Sequence, residues 1–479
     1  MVTVSFFAFL LMFVAVGLYS ARRKRDTPED YLVASRSVSP WLVALSGVAT
    51  NSSGFMFIGL TATAYQYGVK ESVWLMAGWV LGDWIAWLFV HKNLREQSER
   101  RATKTIPEFL GGGLNGGRPV VILAAVLTVV FLGLYASVQL TAGRKALDTF
   151  GIDAWIGVLI GAAMVVAYCF AGGIRASIWT DAAQSVVMLA AITVLAIVGL
   201  GRVGGPGALW TELAAIDPTL VLWTGGLAPH LFLLFVLGWV FAGFGAVGQP
   251  HIMIRFMTLD SPANVRKARV IYIGWFALFS ALCILTGLLA RPLLAIDDLT
   301  IAGTPDMEYV FPILARQLLP GILVGLMLAG LFAATISTAD SQILSCAAAV
   351  TQDLAPDLGR SYMGVKMGTL GVTALAATFA LIGLVVPGMG AVFDLVIFAW
   401  SGLAAALGPL LVIRALDRPI SSGVALAMMI GGLVTVVVWD KVLELGGYTY
   451  AALPGIAIGF MVYSVAAAVG VRDGRVEKA

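Results

Sequence analysis

The sequence predicts an all-α integral membrane protein with about thirteen transmembrane helices. Three observations carry that reading. Of its 479 residues, 59% are hydrophobic and only 12% charged, and the mean hydropathy is +0.93; a water-soluble chain of this length could not hide so much apolar surface. Apolar segments of about 20 residues, enough to cross a bilayer, recur from end to end. Clusters of Lys and Arg fall in five places that share one side of a thirteen-span chain, the bias that orients membrane helices.

The apolar cores fall at 3–20, 41–66, 73–91, 118–146, 153–171, 176–201, 228–254, 268–294, 309–349, 367–386, 389–413, 419–438 and 449–471. The first has no basic residue before it and no small-residue cleavage site after it, so it is expected to be a retained span and not a signal peptide. Segment 309–349 is longer than one span and reads either as two helices or as one with an extension outside the membrane. Basic clusters follow span one (Arg22, Arg23, Lys24, Arg25, Arg36), span three (Lys92, Arg95, Arg100, Arg101, Lys104), span seven (Arg255, Arg266, Lys267, Arg269) and span eleven (Arg414, Arg418), and Arg472, Arg475 and Lys478 close the chain. With thirteen spans all of them share one side. The other side carries Asp297, Asp298, Asp306 and Glu308. The expected placement is a multi-pass protein of the cell (inner or plasma) membrane, N-terminus outside and C-terminus cytoplasmic.

Several function classes drop out. Cys169, Cys283 and Cys346 all lie in apolar stretches, which is neither a disulfide framework nor a metal cluster. The three histidines have no metal-ligand spacing, and no paired catalytic carboxylates or nucleophile elbow appear, so the chain is not expected to be an enzyme. Connections are short, so no soluble domain is expected, and no nucleic-acid partner.

Four polar strings interrupt the apolar spans. Span two holds Ser46–Gly59, SGVATNSSGFMFIG. Asn, Ser and Gly favour local side-chain bonds over helix continuity, so this string reads either as a helix break that frees carbonyls for a cation or as a small-residue packing face. Span seven holds Gly238–Arg255, in which three glycines precede Pro250; proline removes a helical donor, so a break is expected there. His251 just beyond it reads as a structural hydrogen-bonding group. Span nine holds Ala334–Gln342, with Ser337, Thr338, Asp340 and Ser341 close together. Residues three or four apart share a helix face, and hydroxyl and carbonyl oxygens suit Na⁺; the alternative is back-bonding to the preceding turn with Asp340 at a helix end facing water. Span six carries Asp181 after the turn Gly172, Gly173, Arg175. An intramembrane carboxylate marks ion or proton contact by default; a structural pair with Arg175 is the alternative. Tyr135, Gln139 and Trp239 are weaker signals for a solute cavity.

These motifs together resemble the solute:sodium symporters, and bacterial sodium/proline symporters above all. The resemblance rests on SGVATNSSG, GGIRASIWTDAAQS, GQPHIMIRFM and ISTADSQILSCAAAVTQDL, in the family's order. It implies a LeuT-like 5+5 inverted repeat within a single symporter domain: an extra N-terminal helix and first loop at 1–40, repeats at 41–201 and 228–413, and two extra helices at 419–471. It further implies a Na⁺ site from the carbonyls of Ala49, Ser52 and Ala334 and the hydroxyls of Ser337 and Thr338. Asp181, matching a family aspartate linked to ion coupling, and Asp340 become candidates for a second ion or coupling site. A solute cavity is expected at Asn51, Ser53, Gly54, Phe55, Tyr135, Gln139, Trp239, Ala242 and Ala246. Four of these depart from the proline type: Asn51 stands in place of an aspartate, Phe55 in place of a tryptophan, and Ala242 and Ala246 where Trp and Tyr would fall. The expected function is Na⁺-coupled import of a small organic solute, an amino acid such as proline first, by a protein whose partners are the solute, Na⁺ and the lipid bilayer. Proton coupling, a pantothenate-type or other solute, and a transporter-like sensory module are the alternatives.

Overall fold

The computed structural model describes residues 1–148, 152–301, 304–386 and 392–470. Arg472, Arg475, Lys478 and the first residues expected of span eleven lie outside them.

Among the described residues, ten helices are long and apolar enough to cross a membrane. Two of these, Pro40–Phe89 and Ala154–Val203, are 50 residues each and double back. The reversals fall at Gly68 (φ 71°) and Gly173 (φ 57°). Both sites need glycine: a Cβ at Gly68 would sit 2.2 Å from the Leu220 carbonyl, and one at Gly173 would sit 2.5 Å from that of Tyr31. Adding the shorter apolar helix Ala452–Ala468 gives the thirteen spans expected, among the described residues. Apart from a two-residue pairing of Thr300–Ile301 with Thr304–Pro305, the described chain forms no β-sheet. The long segment 309–349 resolves into a short helix, Val310–Leu318, and a span, Gly321–Ala348.

Two spans are interrupted in mid-membrane. Span two starts on Pro40, a residue that pre-sets the first helical turn. It loses helical geometry at Ser53 (φ 46°, ψ 179°), a region that costs a non-glycine residue about 1–3 kcal/mol, and resumes through a π-helical turn, Met56–Leu60. The polar string holds both a break and a packing face. The helix breaks at Ser53, and the string is also a close packing face, since a Cβ on Gly54 would meet Thr335 Cγ2 at 2.6 Å. Span seven runs Pro229–Phe244, tightens over Gly245–Gly248, extends at Gln249 and restarts as Pro250–Met257. The Gln249 side-chain amide donates to the Trp400 carbonyl at 3.0 Å and the Trp400 indole to the Ala242 carbonyl at 2.8 Å, so span eleven (Val392–Ala415) bonds to one side chain at the break and to one backbone acceptor before it.

One end of the bundle is sealed. Arg36, in the loop after span one, donates to the carbonyls of Ser98, Thr103 and Met257. Arg175 donates to Asp30 at 2.6 Å and to the Ala34 carbonyl at 2.8 Å. Loops of the basic-rich end are thus bound to one another and to the end of span seven. At the opposite end lies a cavity of about 590 Å³, lined among others by Lys70, Trp239, Ser401, Asp440 and Tyr450.

Candidate functional site: two polar clusters and a central cavity

The break in span two packs against the polar string of span nine. Ser337 Oγ lies 3.3 Å from the Ala49 carbonyl and 3.1 Å from that of Ala334. Thr338 Oγ1 lies 3.0 Å from the Thr50 carbonyl and 3.2 Å from that of Ala334. All these residues are buried. Four of the five residues the resemblance implied for Na⁺, namely Ala49, Ala334, Ser337 and Thr338, come together here. Ser52 stands in the same turn of span two, with its hydroxyl on the Val48 carbonyl at 2.7 Å. Thr50 was not among the expected ligands, yet its carbonyl is the one Thr338 reaches. Hard oxygens without a carboxylate suit a monovalent cation.

A second cluster adjoins the first. Thr50 Oγ1 lies 3.0 Å from Ser341 Oγ, and Ser341 donates to Asp340 at 3.0 Å and to the Ser337 carbonyl at 2.6 Å. Asp340 also accepts from Ser177 at 2.8 Å, and Asp181 from Ser46 at 2.7 Å. Between the two carboxylates stands Arg255, 3.4 Å from Asp181 and 3.5 Å from Asp340, bonded also to Ser177 and Ser341. The alternative pairing of Asp181 with Arg175 is overturned, since Arg175 is held in the first loop by Asp30. So is the placing of Asp340 at a helix end facing water: it is fully buried, in mid-helix. Two carboxylates face one guanidinium, and Asp181 Oδ1 and Asp340 Oδ2 have no hydrogen-bond partner.

Between spans two, three, four, eight and eleven is a small cavity of about 10 Å³, lined by Asn51, Ser53, Phe55, Met56, Met76, Trp79, Tyr135, Phe276, Val396 and Trp400. Asn51, Ser53, Phe55 and Tyr135 were expected there. Gly54 and Gln139 sit behind that wall, the Gly54 amide donating to Gln139 Oε1 at 3.0 Å; this satisfies a donor released by the break. Trp239 faces the larger cavity instead. Ala242 and Ala246 are wholly buried and line neither cavity. An aromatic layer separates the two cavities: Trp79 packs on Trp400 with centroids 4.8 Å apart and on Trp239 at 6.3 Å, and Trp239 stacks on Tyr450 at 5.1 Å. His251 has no hydrogen-bond partner on either ring nitrogen and rests edge-on to Tyr135, so its expected bonding role is not realised.

Asp83, in span three, escaped the sequence reading. It is buried, accepting from the Tyr272 hydroxyl at 2.7 Å and from Asn51 Nδ2 at 3.1 Å. The signal was available, since a lone aspartate interrupts an otherwise apolar run of span three.

Residues 31–432 match the model of the sodium:solute symporter family. The high-affinity proline transporter PutP of Bacillus subtilis (strain 168) is 30% identical over 450 residues, covering 92% of this chain and 93% of that one. The sodium/proline symporter of Escherichia coli (strain K12) is 30% identical over 472 residues, covering 96% and 92%. Among solved structures, a substrate-bound outward-open Na⁺-coupled sialic acid symporter superposes with a TM-score of 0.79 at 18% identity, covering 98% of each chain. MhsT in complex with L-phenylalanine gives 0.57 at 16% identity, covering 88% of this chain and 98% of that one. The fold is thus the LeuT type, the relatives are transporters and not enzymes, and the chain belongs to the sodium:solute symporter family.

Proposed function

We propose that this protein imports an amino acid, proline first among candidates, together with Na⁺. The observation that carries the reading is the seating of Ser337 and Thr338 against the carbonyls freed near the break in span two. Na⁺ entering there would take the hydroxyl oxygens and the carbonyls of Ala49 and Ala334 as ligands, with Thr50 and Ser52 completing the turn. It would cross-link spans two and nine, which belong to different halves of the chain (41–201 and 228–413). Solute would bind beside the same break, at Asn51, Ser53, Phe55 and Tyr135. Because ion and solute favour the same arrangement of span two, each raises the affinity for the other by the same factor.

With the basic-rich end in the cytoplasm, as the Lys and Arg bias supports, the sealed end faces inward and the 590 Å³ cavity faces outward. Substrate would enter through the aromatic layer. Release would require parting the Arg36 and Arg175 contacts. An inside-negative potential then adds roughly 2.3 kcal/mol per charge per 100 mV to uptake.

A second ion reading is favoured by the Asp181–Arg255–Asp340 cluster. Its excess of one carboxylate and its two unpartnered oxygens fit a further Na⁺ or a proton. The chain Thr50–Ser341–Asp340 connects it to the first site. Arg255 lies in the restarted half of span seven, so motion of that half would reset the cluster.

The test is tracer proline uptake into proteoliposomes against Na⁺ at fixed pH. Ser337→Ala and Thr338→Ala are each expected to raise the half-saturating Na⁺ concentration by about tenfold, the scale of a lost hydrogen-bonding ligand. Sodium-independent uptake, unchanged in both variants, would defeat the sodium reading and leave proton coupling in its place.

A further inference from the structure

We propose that Asp83 and Asn51 form the docking site for the positively charged nitrogen of the transported solute, which is therefore an ammonium bearing at least two N–H bonds. The proposal rests on the reading of the protein as a solute symporter and narrows its substrate class.

Asp83 is 1% exposed. Its Oδ2 accepts from both the Tyr272 hydroxyl and Asn51 Nδ2, and Asn51 Nδ2 also donates to the Tyr272 hydroxyl at 2.7 Å. Both donors meet on the same carboxyl oxygen, Oδ2. Yet among the described residues Asp83 makes no salt bridge, whereas Asp181 and Asp340 share Arg255. The nearest basic side chain along the sequence, His91, begins the next helix, His91–Arg100, and stacks on Trp87. A buried anion in a membrane bundle without a counter-charge is costly, and such residues mark substrate paths or ligand counter-ions.

The position selects the ligand. Met76 and Trp79 precede Asp83 by seven and four residues, so all three share one face of span three. Phe276 likewise follows Tyr272 by four residues on span eight. Met76, Trp79, Phe276 and Asn51 line the central cavity; Asp83 and Tyr272 stand one turn beyond its lining and are joined to it through Asn51. Two acceptors there have no partner, Asp83 Oδ1 and Asn51 Oδ1. Hard metal cations gather a larger shell, about six oxygens for Mg²⁺ or Ca²⁺. A secondary ammonium has two N–H bonds to place, one for each unclaimed oxygen, and its charge answers that of Asp83.

The test uses the full chain, purified and read by thermal shift and tracer binding, with and without Na⁺. The probes are L-proline, the other common amino acids, pantothenate, and oxygen analogues in which the nitrogen is replaced: tetrahydrofuroate for proline and the α-hydroxy acid for the rest. Wild type is expected to bind at least one amino acid and to bind its oxygen analogue about tenfold more weakly or worse. Asp83→Asn is expected to weaken that amino acid by about tenfold or more, leaving the shift by Na⁺ alone unchanged. The exchange Asn51→Asp with Asp83→Asn carries the carboxylate across a 3.1 Å contact and is expected to recover part of the loss. Unchanged binding in Asp83→Asn overturns the assignment while leaving a proline symporter intact. Binding of another amino acid through Asp83, with proline inert, keeps the assignment and removes proline. Loss of the shift by Na⁺ alone in a folded Asp83→Asn protein assigns the carboxylate to the ion and overturns the proposal, as does stabilisation by pantothenate with no amino acid active. Should Asp83→Asn not fold, the wild-type comparison decides, and equal binding of an amino acid and its oxygen analogue overturns the proposal.

Discussion

Arg255 is the residue on which the polar interior turns. It is 0% exposed and stands between two carboxylates contributed by spans six and nine. Removing one partner of a buried charge pair leaves the rest uncompensated, at about 3–5 kcal/mol. Arg255→Met is therefore expected to lower the thermal stability of the detergent-purified protein by that order, and Arg255→Met with Asp340→Asn to regain part of it; equal melting of wild type and Arg255→Met would contradict the geometry. At this scale the sequence was partly legible. Ser337, Thr338, Asp181 and Asp340 stood out because polar groups at bilayer depth are costly. Their partners did not: Ser46 and Asp181 are separated by 135 positions and Ser177 and Asp340 by 163, and no local pattern encodes such pairs. Arg175 was the nearest cation to Asp181 along the chain, and chain proximity misled, because the helix reversal at Gly173 turns Arg175 toward the first loop instead.

Helices approach one another most closely where glycine removes the side chain. Spans three and seven meet at Gly82 and Gly243, where a Cβ would fall 1.8 Å from the Val240 carbonyl and 1.9 Å from that of Trp79. Overpacking at a contact costs about 1–3 kcal/mol or more, and the obstacle here is backbone, which cannot swing aside. Gly82→Ala is expected to reduce folded yield and melting temperature, measured by size-exclusion fluorescence; an unaffected protein would mean that the two spans are not held so close. The loop after span one rests on a different interaction. Burial pushes the Asp30 carboxyl up, but the Arg175 guanidinium, the Arg25 amide and the Ser35 hydroxyl outweigh it, so Asp30 titrates below the ordinary carboxylate range. A depressed carboxylate stabilises fully above its unfolded pKa, near about 4, and that contribution vanishes as pH falls through the lower folded value. Protection of the 28–36 amides from hydrogen exchange, corrected for the intrinsic pH dependence of exchange, should thus be flat from neutral pH down to about 5 and fall only in stronger acid, whereas Asp30→Asn should lower that protection at neutral pH. Of the elements themselves, the break in span seven was readable from Pro250 and its glycines. The break in span two was left open between two readings because Ser53, unlike glycine, carries no mark of positive φ.

The molecule as a whole is asymmetric along its long axis, tied shut at the basic-rich end and hollow at the other. Apolar periodicity and alternating charge made the thirteen spans legible, since bilayer thickness fixes helix length. The cavity walls were far less so. Met56, Met76, Trp79, Phe276, Val396 and Trp400 line the centre, but an apolar residue facing a solute looks in sequence like one facing lipid. Trp79, Trp239 and Trp400 stand in the single layer between the outer hollow and the centre. Indole emission shifts with the polarity around the ring, so three of the chain's 13 tryptophans form an optical reporter at the threshold a solute must cross. Ligand added to unlabelled protein should change its intrinsic fluorescence, and Trp79→Phe should blunt the change, which makes the first step of transport observable without any attached dye.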